Sequence, residues 1–336
     1  MPMRSAILTA AAAGLVTLTG CDGDSFGQAL GTEDSIIVLA VDSLWAEIGD
    51  SMSSAMEPEV VTVRSDPTFQ LTQVSPDTDM TWNDLKRFKR VLAIGVAGDS
   101  WVAEALAHAG ATPQAPAVVE TDDVWSRGQD VVAVVVPAAE PARAVLDTVV
   151  WLAARYDQAF RDYAVRRMYS SAPDTALRDS LAGVAGFSLL PPSVYQHERV
   201  GEDAWVFTSA TTTGGNLFRT FVVAPVPGAG LPEPARLLAW RDSISTLAHR
   251  PPQTTREELV RVDTLRTDAG EVLEIQGVWA VEDPTWPMSG PFIMRAIPCP
   301  AQDRTFFVDA YLFAPNRAKY EYVIQLETIL NTFACA

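Results

Sequence analysis

An α+β fold is predicted: an N-terminal α/β layered half, a long connecting helix, and a C-terminal antiparallel sheet packed by helices. Three patterns predict it. Up to about residue 140, short apolar runs alternate with segments of helical period, the order that builds layered sheets. After about residue 187 the apolar runs follow one another with turns and few helices between them. Between these stretches one apolar stripe persists at helical spacing.

SIIVLAV (35–41) is a short apolar run and reads as a buried strand. Asp42 or Ser43 can cap the helix that follows, in which Trp45, Ile48, Met52 and Met56 share a face. EVVTVRS (59–65) and TFQLTQVS (68–75) read as two further strands, and Thr81 caps a short helix over TWNDLKRF. RVLAIGV is a strand, and DSWVAEALAHAG a helix stopped by Gly110. DVVAVVVP carries a β-branched run suited to a strand covered on both faces. Pro141 suits the first turn of the long helix. Leu146, Val149, Ala153, Tyr156, Phe160 and Tyr163 form its stripe, out to about Tyr169. SSAPDT interrupts it, and a short helix ends near Gly183.

GFSLLPPSVYQHERV then leads to AWVFTSA, the turn TTTGGN and LFRTFVVAPV. This is a hairpin in which Gly214, Gly215 and Asn216 supply positive φ angles. A helix near 233–249 follows, then strands near 257–265, 271–281, 291–298 and 304–314. A last helix is capped by Asn316 and runs to about Phe333. The division is a signal peptide over 1–20, a flexible tether over 21–34, an N-terminal domain with the long helix over 35–170, and a C-terminal domain over 171–336.

The 336 residues are 48% hydrophobic and carry a formal charge of −17. That apolar content supports real cores. The acidic balance argues against nucleic acid as a partner, because phosphate contacts are made by Lys and Arg. Of the three cysteines, Cys21 stands apart from Cys299 and Cys335. Outside the cytoplasm the last two can persist as a disulfide tying the tail to the strand ending at IMRAIPC; the alternative is two free thiols. With no histidine near them in sequence they make a poor metal site.

The first twenty residues combine a cationic start at Arg4, thirteen apolar-rich residues from Ala6 to Leu18, and small residues before Cys21. That run is too short to span a bilayer, which takes about 20 helical residues. It reads as a secretory signal. Leu18-Thr19-Gly20-Cys21 resembles the lipobox of bacterial lipoproteins, which implies lipidation of Cys21 and cleavage before it. The following DGDSFGQALGTEDS is polar and Gly-rich and reads as a tether. An exported protein anchored in the membrane by its N-terminal lipid is expected. It would sit on the periplasmic face of the inner or outer membrane, or at the cell surface.

IIVLAVDSLW, GVWAVEDPTWPMSGPF and VDAYLFAPNRAKYEYVIQLETILNTF, together with the lipobox, resemble a lipoprotein family called domain of unknown function 4837. The resemblance covers most of the mature chain and is most specific at its C-terminal segment. The family has no assigned reaction, so no catalytic residue is implied. GFSLLPPSVYQ before a sheet, with a last helix ending ETILNTF, is similar by analogy to the PsbP-like sandwich, many of whose members are accessory or binding proteins.

AIGVAGDSWVAE (93–104) places Gly-Asp-Ser between a strand and a helix, as in the nucleophile block of GDSL hydrolases. Such a serine needs a histidine, usually in an Asp-x-x-His pair. The three histidines, His108, His197 and His249, are preceded at that spacing by Ala105, Val194 and Thr246. Ser100 equally suits a helix cap beside Asp99, and the Lys-Ser/Thr ending of a phosphate loop is missing. LKRFKR (85–90), spread on a helix, could meet anionic lipid headgroups or be a solvated face paired with local acids. WAVEDPTWPMSGPF joins Trp279, Trp286, Met288 and Phe292 with three prolines; a rigid aromatic loop of this kind can line a binding groove or fold onto its own domain. The expected function is a non-catalytic binding or assembly module of the cell envelope, without metal or cofactor. Its partner would be an envelope protein or a small ligand. The alternatives are a serine hydrolase using Ser100 and a purely structural envelope protein.

Overall fold

The computed structural model describes residues 27–336 apart from 63, 65, 202, 212–215, 249–251, 268–269, 282, 284 and 286. Of residues 245–248 it describes the backbone alone. The signal segment, Cys21, the first part of the tether, the glycines of the hairpin turn, His249 and Trp286 lie outside the described residues.

The first half is built on five strands: β1 (Ser35–Leu39), β2 (Gln70–Val74), β3 (Arg90–Gly95), β4 (Ala117–Asp122) and β5 (Asp130–Val135), in the order β2-β1-β3-β5-β4. All pair in parallel except β4, which runs antiparallel to β5. Alternation along the central strands feeds two cores. Ile36, Val38, Leu92, Ile94, Val132 and Val134 face α1 (Asp42–Met56). Ile37, Leu39, Val91, Ala93, Val131 and Ala133 face Trp101, Val102 and Leu106 of α3 (Ser100–Ala109). Burial on both faces explains the unbroken apolar runs of β1, β3 and β5; the edge strand β2 alternates instead.

Several expected elements shift. On α1 the buried face is Leu44, Ile48, Met52 and Met56, with Trp45 half-buried beside it. The described residues of EVVTVRS hold no strand, only a bridge between Glu59 and Pro67. Pro58 and Pro67 remove donors at both ends of the segment, so no ladder extends. The segment closes on itself instead, through Val60 N–H to Asp66 O (3.0 Å) and Thr68 N–H to Pro58 O (2.9 Å). The helix α2 (Trp82–Leu85) ends before the basic run, so LKRFKR is not a helical face. AVVETD, unrecognised in the sequence, is the edge strand β4.

The long helix is two: α4 (Pro141–Leu146) and α5 (Val149–Met168). Thr148 separates them, its hydroxyl donating to Val145 O at 2.7 Å. The break rotates the register, so Leu146 is exposed and the buried stripe is Leu152, Tyr156, Phe160, Ala164 and Met168. A further helix, α6 (Thr175–Ala185), is capped by Asp174 and ends at Gly186 in the left-handed region.

The second half begins with β6 (Phe187–Ser188), β7 (Gln196–Val200), β8 (Ala204–Thr211) and β9 (Leu217–Pro227), then α7 (Pro234–Ala248). Next come β10 (Thr254–Thr255), β11 (Arg261–Thr267), β12 (Gly270–Ala280), β13 (Ser289–Cys299) and β14 (Arg304–Phe313). The chain ends in α8 (Tyr320–Asn331) and β15 (Ala334–Cys335). Helix α8 starts after Lys319 rather than at Asn316. Eight of these strands form one antiparallel sheet, β10-β12-β13-β14-β9-β8-β7, with β11 also on β12. One face packs on α6 and α8, the other on α7. The α+β class and the helix-packed antiparallel sheet are therefore as the sequence predicts.

A charge is buried on the α7 face. Arg241 and Asp309 are both 0% exposed, with Arg241 Nε 3.3 Å from Asp309 Oδ1 and Nη2 2.7 Å from Gln253 Oε1. The guanidinium stacks on the Phe292 ring at 4.4 Å. That ring in turn lies over Gly277, where a Cβ would come 2.7 Å from it. On the opposite face Cys299 and Cys335 are bonded, with Cα atoms 5.7 Å apart, and β15 pairs with β6.

Reducing that bond opens a loop of 36 residues. It is expected to lower the unfolding free energy by about 4 kcal/mol, read from urea unfolding with and without reductant. Arg241→Met should cost about 3–5 kcal/mol by leaving Asp309 buried without its cation, and Arg241→Met with Asp309→Leu should recover most of it. Equal losses in the single and double variants would contradict this.

Candidate functional site

Two seams join the halves, and their charges differ. The first lies between α5 and α8. The Phe160 and Tyr320 rings stack at 5.5 Å, and Phe69 meets both edge-on. Arg161 donates to Asp157 and Glu327, each at 2.8 Å, and the Tyr320 hydroxyl donates to Asp157. Ile324 of α8 is buried in the core of the first half. A cavity of about 260 Å³ beside this seam has three cations, and each is engaged. Lys89 holds Glu33 at 2.9 Å, Arg167 holds Glu321 at 3.1 Å, and Arg317 donates to the Tyr322 hydroxyl at 3.2 Å. Burial raises the Glu321 carboxyl while Arg167 opposes the rise. Thr68, another wall residue, is buried. This cavity is a closed set of internal pairs.

The second seam is an open cleft of about 510 Å³. The self-closed segment after α1 brings Thr62 and Arg64 to it, and the segment after β10 brings Arg256. The β12–β13 connection contributes Val281, Pro287 and Met288, and the start of β13 Ser289; the exit from β14 contributes Phe313, Pro315, Asn316 and Lys319. Lys319 is held by Asp66 at 3.0 Å and donates to Arg317 O at 2.9 Å. Arg64 and Arg256 are exposed, and neither has an ion-pair partner among the described residues. Among those residues no acidic side chain lines the cleft. The strands close tightly at its base: a Cβ on Gly290 would overlap the Leu312 carbonyl.

The aromatic loop expected to bind therefore divides. Trp279 and Phe292 belong to β12 and β13 and are 0% and 1% exposed. The Trp279 indole N–H donates to Leu312 O at 3.1 Å. They are core residues, not groove anchors. Met288, half-buried, stands on the cleft wall. Arg64, Arg256, Phe313 and Lys319 were not singled out by the sequence. They come from three separated segments, and no local motif joins them.

Ser100 is the exposed first residue of α3. Asp99 turns away from it and accepts from Val96 N–H at 2.8 Å. Its carboxylate lies over Gly95, where a Cβ would overlap it. The Asp99 carboxylate is thus spent within the β3–α3 turn that carries Ser100. His108 lies in the last turn of the same helix, about 12 Å along the axis from Ser100. His197 is exposed on β7, its ring 6.3 Å from those of Trp205 and Phe207. Of the basic run, Arg90 is buried, 3.5 Å from Glu33 and 3.9 Å from Asp130, and is no lipid contact. No group of three or more metal-ligating side chains occurs among the described residues, and none of their helices is long and apolar enough to cross a membrane.

Residues 174–332 match the family described as Domain of unknown function (DUF4837), and residues 29–167 match Domain of unknown function (DUF8532). The first of these is narrower than the sequence resemblance implied: the IIVLAVDSLW segment falls in the second. No curated protein matches the chain. Among solved structures, the Ran-binding protein Mog1p of Saccharomyces cerevisiae aligns at a TM-score of 0.31 and 9% identity, over 45% of this chain and 90% of that one. LpqN of Mycobacterium tuberculosis, described as involved in cell envelope biogenesis, aligns at 0.28 and 10% identity, over 44% and 82%. Likeness of this degree carries no functional argument.

Asp99→Ala should cost about 1 kcal/mol, the loss of one loop hydrogen bond. Ser100→Ala should stay within about 0.5 kcal/mol, as an exposed position does. Thermal unfolding of both variants checks the pair, and a large Ser100 effect would point to an unseen partner for that hydroxyl.

Proposed function

We propose that this chain is an exported cell-envelope lipoprotein, anchored through Cys21, that acts as a non-catalytic binding module for a small molecule held in the seam cleft. One observation carries the binding part: two arginines without ion-pair partners face an apolar-walled cleft of about 510 Å³ in a chain of charge −17. Specific pockets of this kind combine apolar walls with a few convergent polar groups, commonly where two bodies of a fold meet. The Cys299–Cys335 bond is consistent with an oxidising compartment outside the cytoplasm. The address rests on Leu18-Thr19-Gly20-Cys21 behind its short apolar run.

Mass spectrometry of the full chain purified from membranes tests both parts. The N-terminal peptide should begin at a diacylglyceryl-modified Cys21. Under native conditions the folded protein should retain a bound small molecule, displaced in Met288→Trp, which fills the cleft. An uncut, unmodified terminus would end the address. A ligand-free protein, or one whose ligand survives Met288→Trp, would end the cleft reading.

A further inference from the structure

We infer that the cleft ligand is an anionic amphiphile: a single aliphatic chain ending in a carboxylate or phosphate. This rests on the cleft being a binding site, and it names the chemistry that site selects.

The charges in the wall do not cancel. Lys319 is neutralised by Asp66 at 3.0 Å, so the remaining formal charges are the guanidinium groups of Arg64 and Arg256. Exposed arginines such as Arg127, Arg166 and Arg236 also lack an ion pair among the described residues; Arg64 and Arg256 differ in lining one cleft together, with no acidic side chain among its described lining residues. Two uncommitted guanidiniums at one mouth of an acidic body form a local positive site, and such a site concentrates anions. Guanidinium pairs carboxylate or phosphate oxygens in a bidentate fork. Ser289 adds a hydroxyl that can donate to the same oxygens, whereas the Thr62 hydroxyl already donates to Arg64 O and steadies that loop.

The rest of the wall is apolar. Phe313, Met288, Pro287, Pro315 and Val281 offer carbon surface to which a polar ion such as phosphate alone gives nothing. Methionine adapts to irregular chains, and the two prolines hold wall positions with little entropy to lose. A headgroup at the arginines with an aliphatic chain along Phe313 and Met288 uses both surfaces. Each methylene removed from water contributes about 0.8 kcal/mol. The cleft's volume lies within the range typical of small-molecule sites.

The test is calorimetric titration of the delipidated full chain, below micelle-forming concentration, with dodecanoate, dodecyl phosphate, the neutral dodecanol and inorganic phosphate. Both anionic amphiphiles should bind at least tenfold more tightly than dodecanol and inorganic phosphate. Arg64→Gln with Arg256→Gln should remove that preference while dodecanol binding stays unchanged. Arg64→Lys with Arg256→Lys should restore at least part of it, which separates charge from a folding defect. Dodecanol binding as tightly as dodecanoate would overturn the anionic class and leave the cleft reading standing. Inorganic phosphate matching dodecyl phosphate would overturn the aliphatic part. No binding by any probe overturns this inference; a native ligand displaced by Met288→Trp would then show that the cleft binds something else.

Discussion

The aromatic stack of Phe160 on Tyr320 fixes everything that lies between the two sheets. Phe160 comes from α5 in the first half and Tyr320 opens α8 in the second. Around the stack, Asp157, Arg161 and Glu327 bind across the helices, and Ile324 is buried in the core of the half it does not belong to. Both walls of the open cleft hang from this joint. Lys319, one residue before Tyr320, holds Asp66 of the first half while lining the cleft from the second. The ligand site, on this view, is a property of the joint more than of either sheet.

The chain handles its charge in two ways. Inside, ions are matched: Arg241 with Asp309 under α7, Arg295 with Glu274 and Asn331 under α8. A buried pair adds little net stability over an apolar isostere but strongly penalises arrangements that break it, so these pairs act mainly to fix how each helix sits on the sheet. At the surface the excess is negative, which favours solubility. Against that background two unmatched cations in one cleft lined by no described acidic side chain are informative. The 260 Å³ cavity has its cations already taken and reads as packing; the 510 Å³ cleft does not.

Legibility in the sequence followed the range of the interaction. Runs such as DVVAVVVP state their own burial, because a strand covered on both faces needs apolar residues at consecutive positions. The two errors of detail near the cleft have separate causes. EVVTVRS has strand composition, yet the prolines flanking it deny it a ladder, and it became a wall. Trp279 and Phe292 look like groove anchors beside three prolines, yet from the ends of the expected strands their side chains turn into the core. A few residues of register decide whether an aromatic meets water or a sheet face.

By itself, then, the sequence determined the fold class, the central strands of the first sheet, the hairpin-rich second half and which two cysteines are available to pair. Each depends on period, composition or count, all readable within a short window. Only the tertiary structure decided that α4 and α5 are separate helices, that Cys299 and Cys335 are bonded, and that Arg64, Arg256 and Met288 share one cleft. Those outcomes depend on contacts between residues distant in the chain, and such contacts are set by packing rather than by any local pattern.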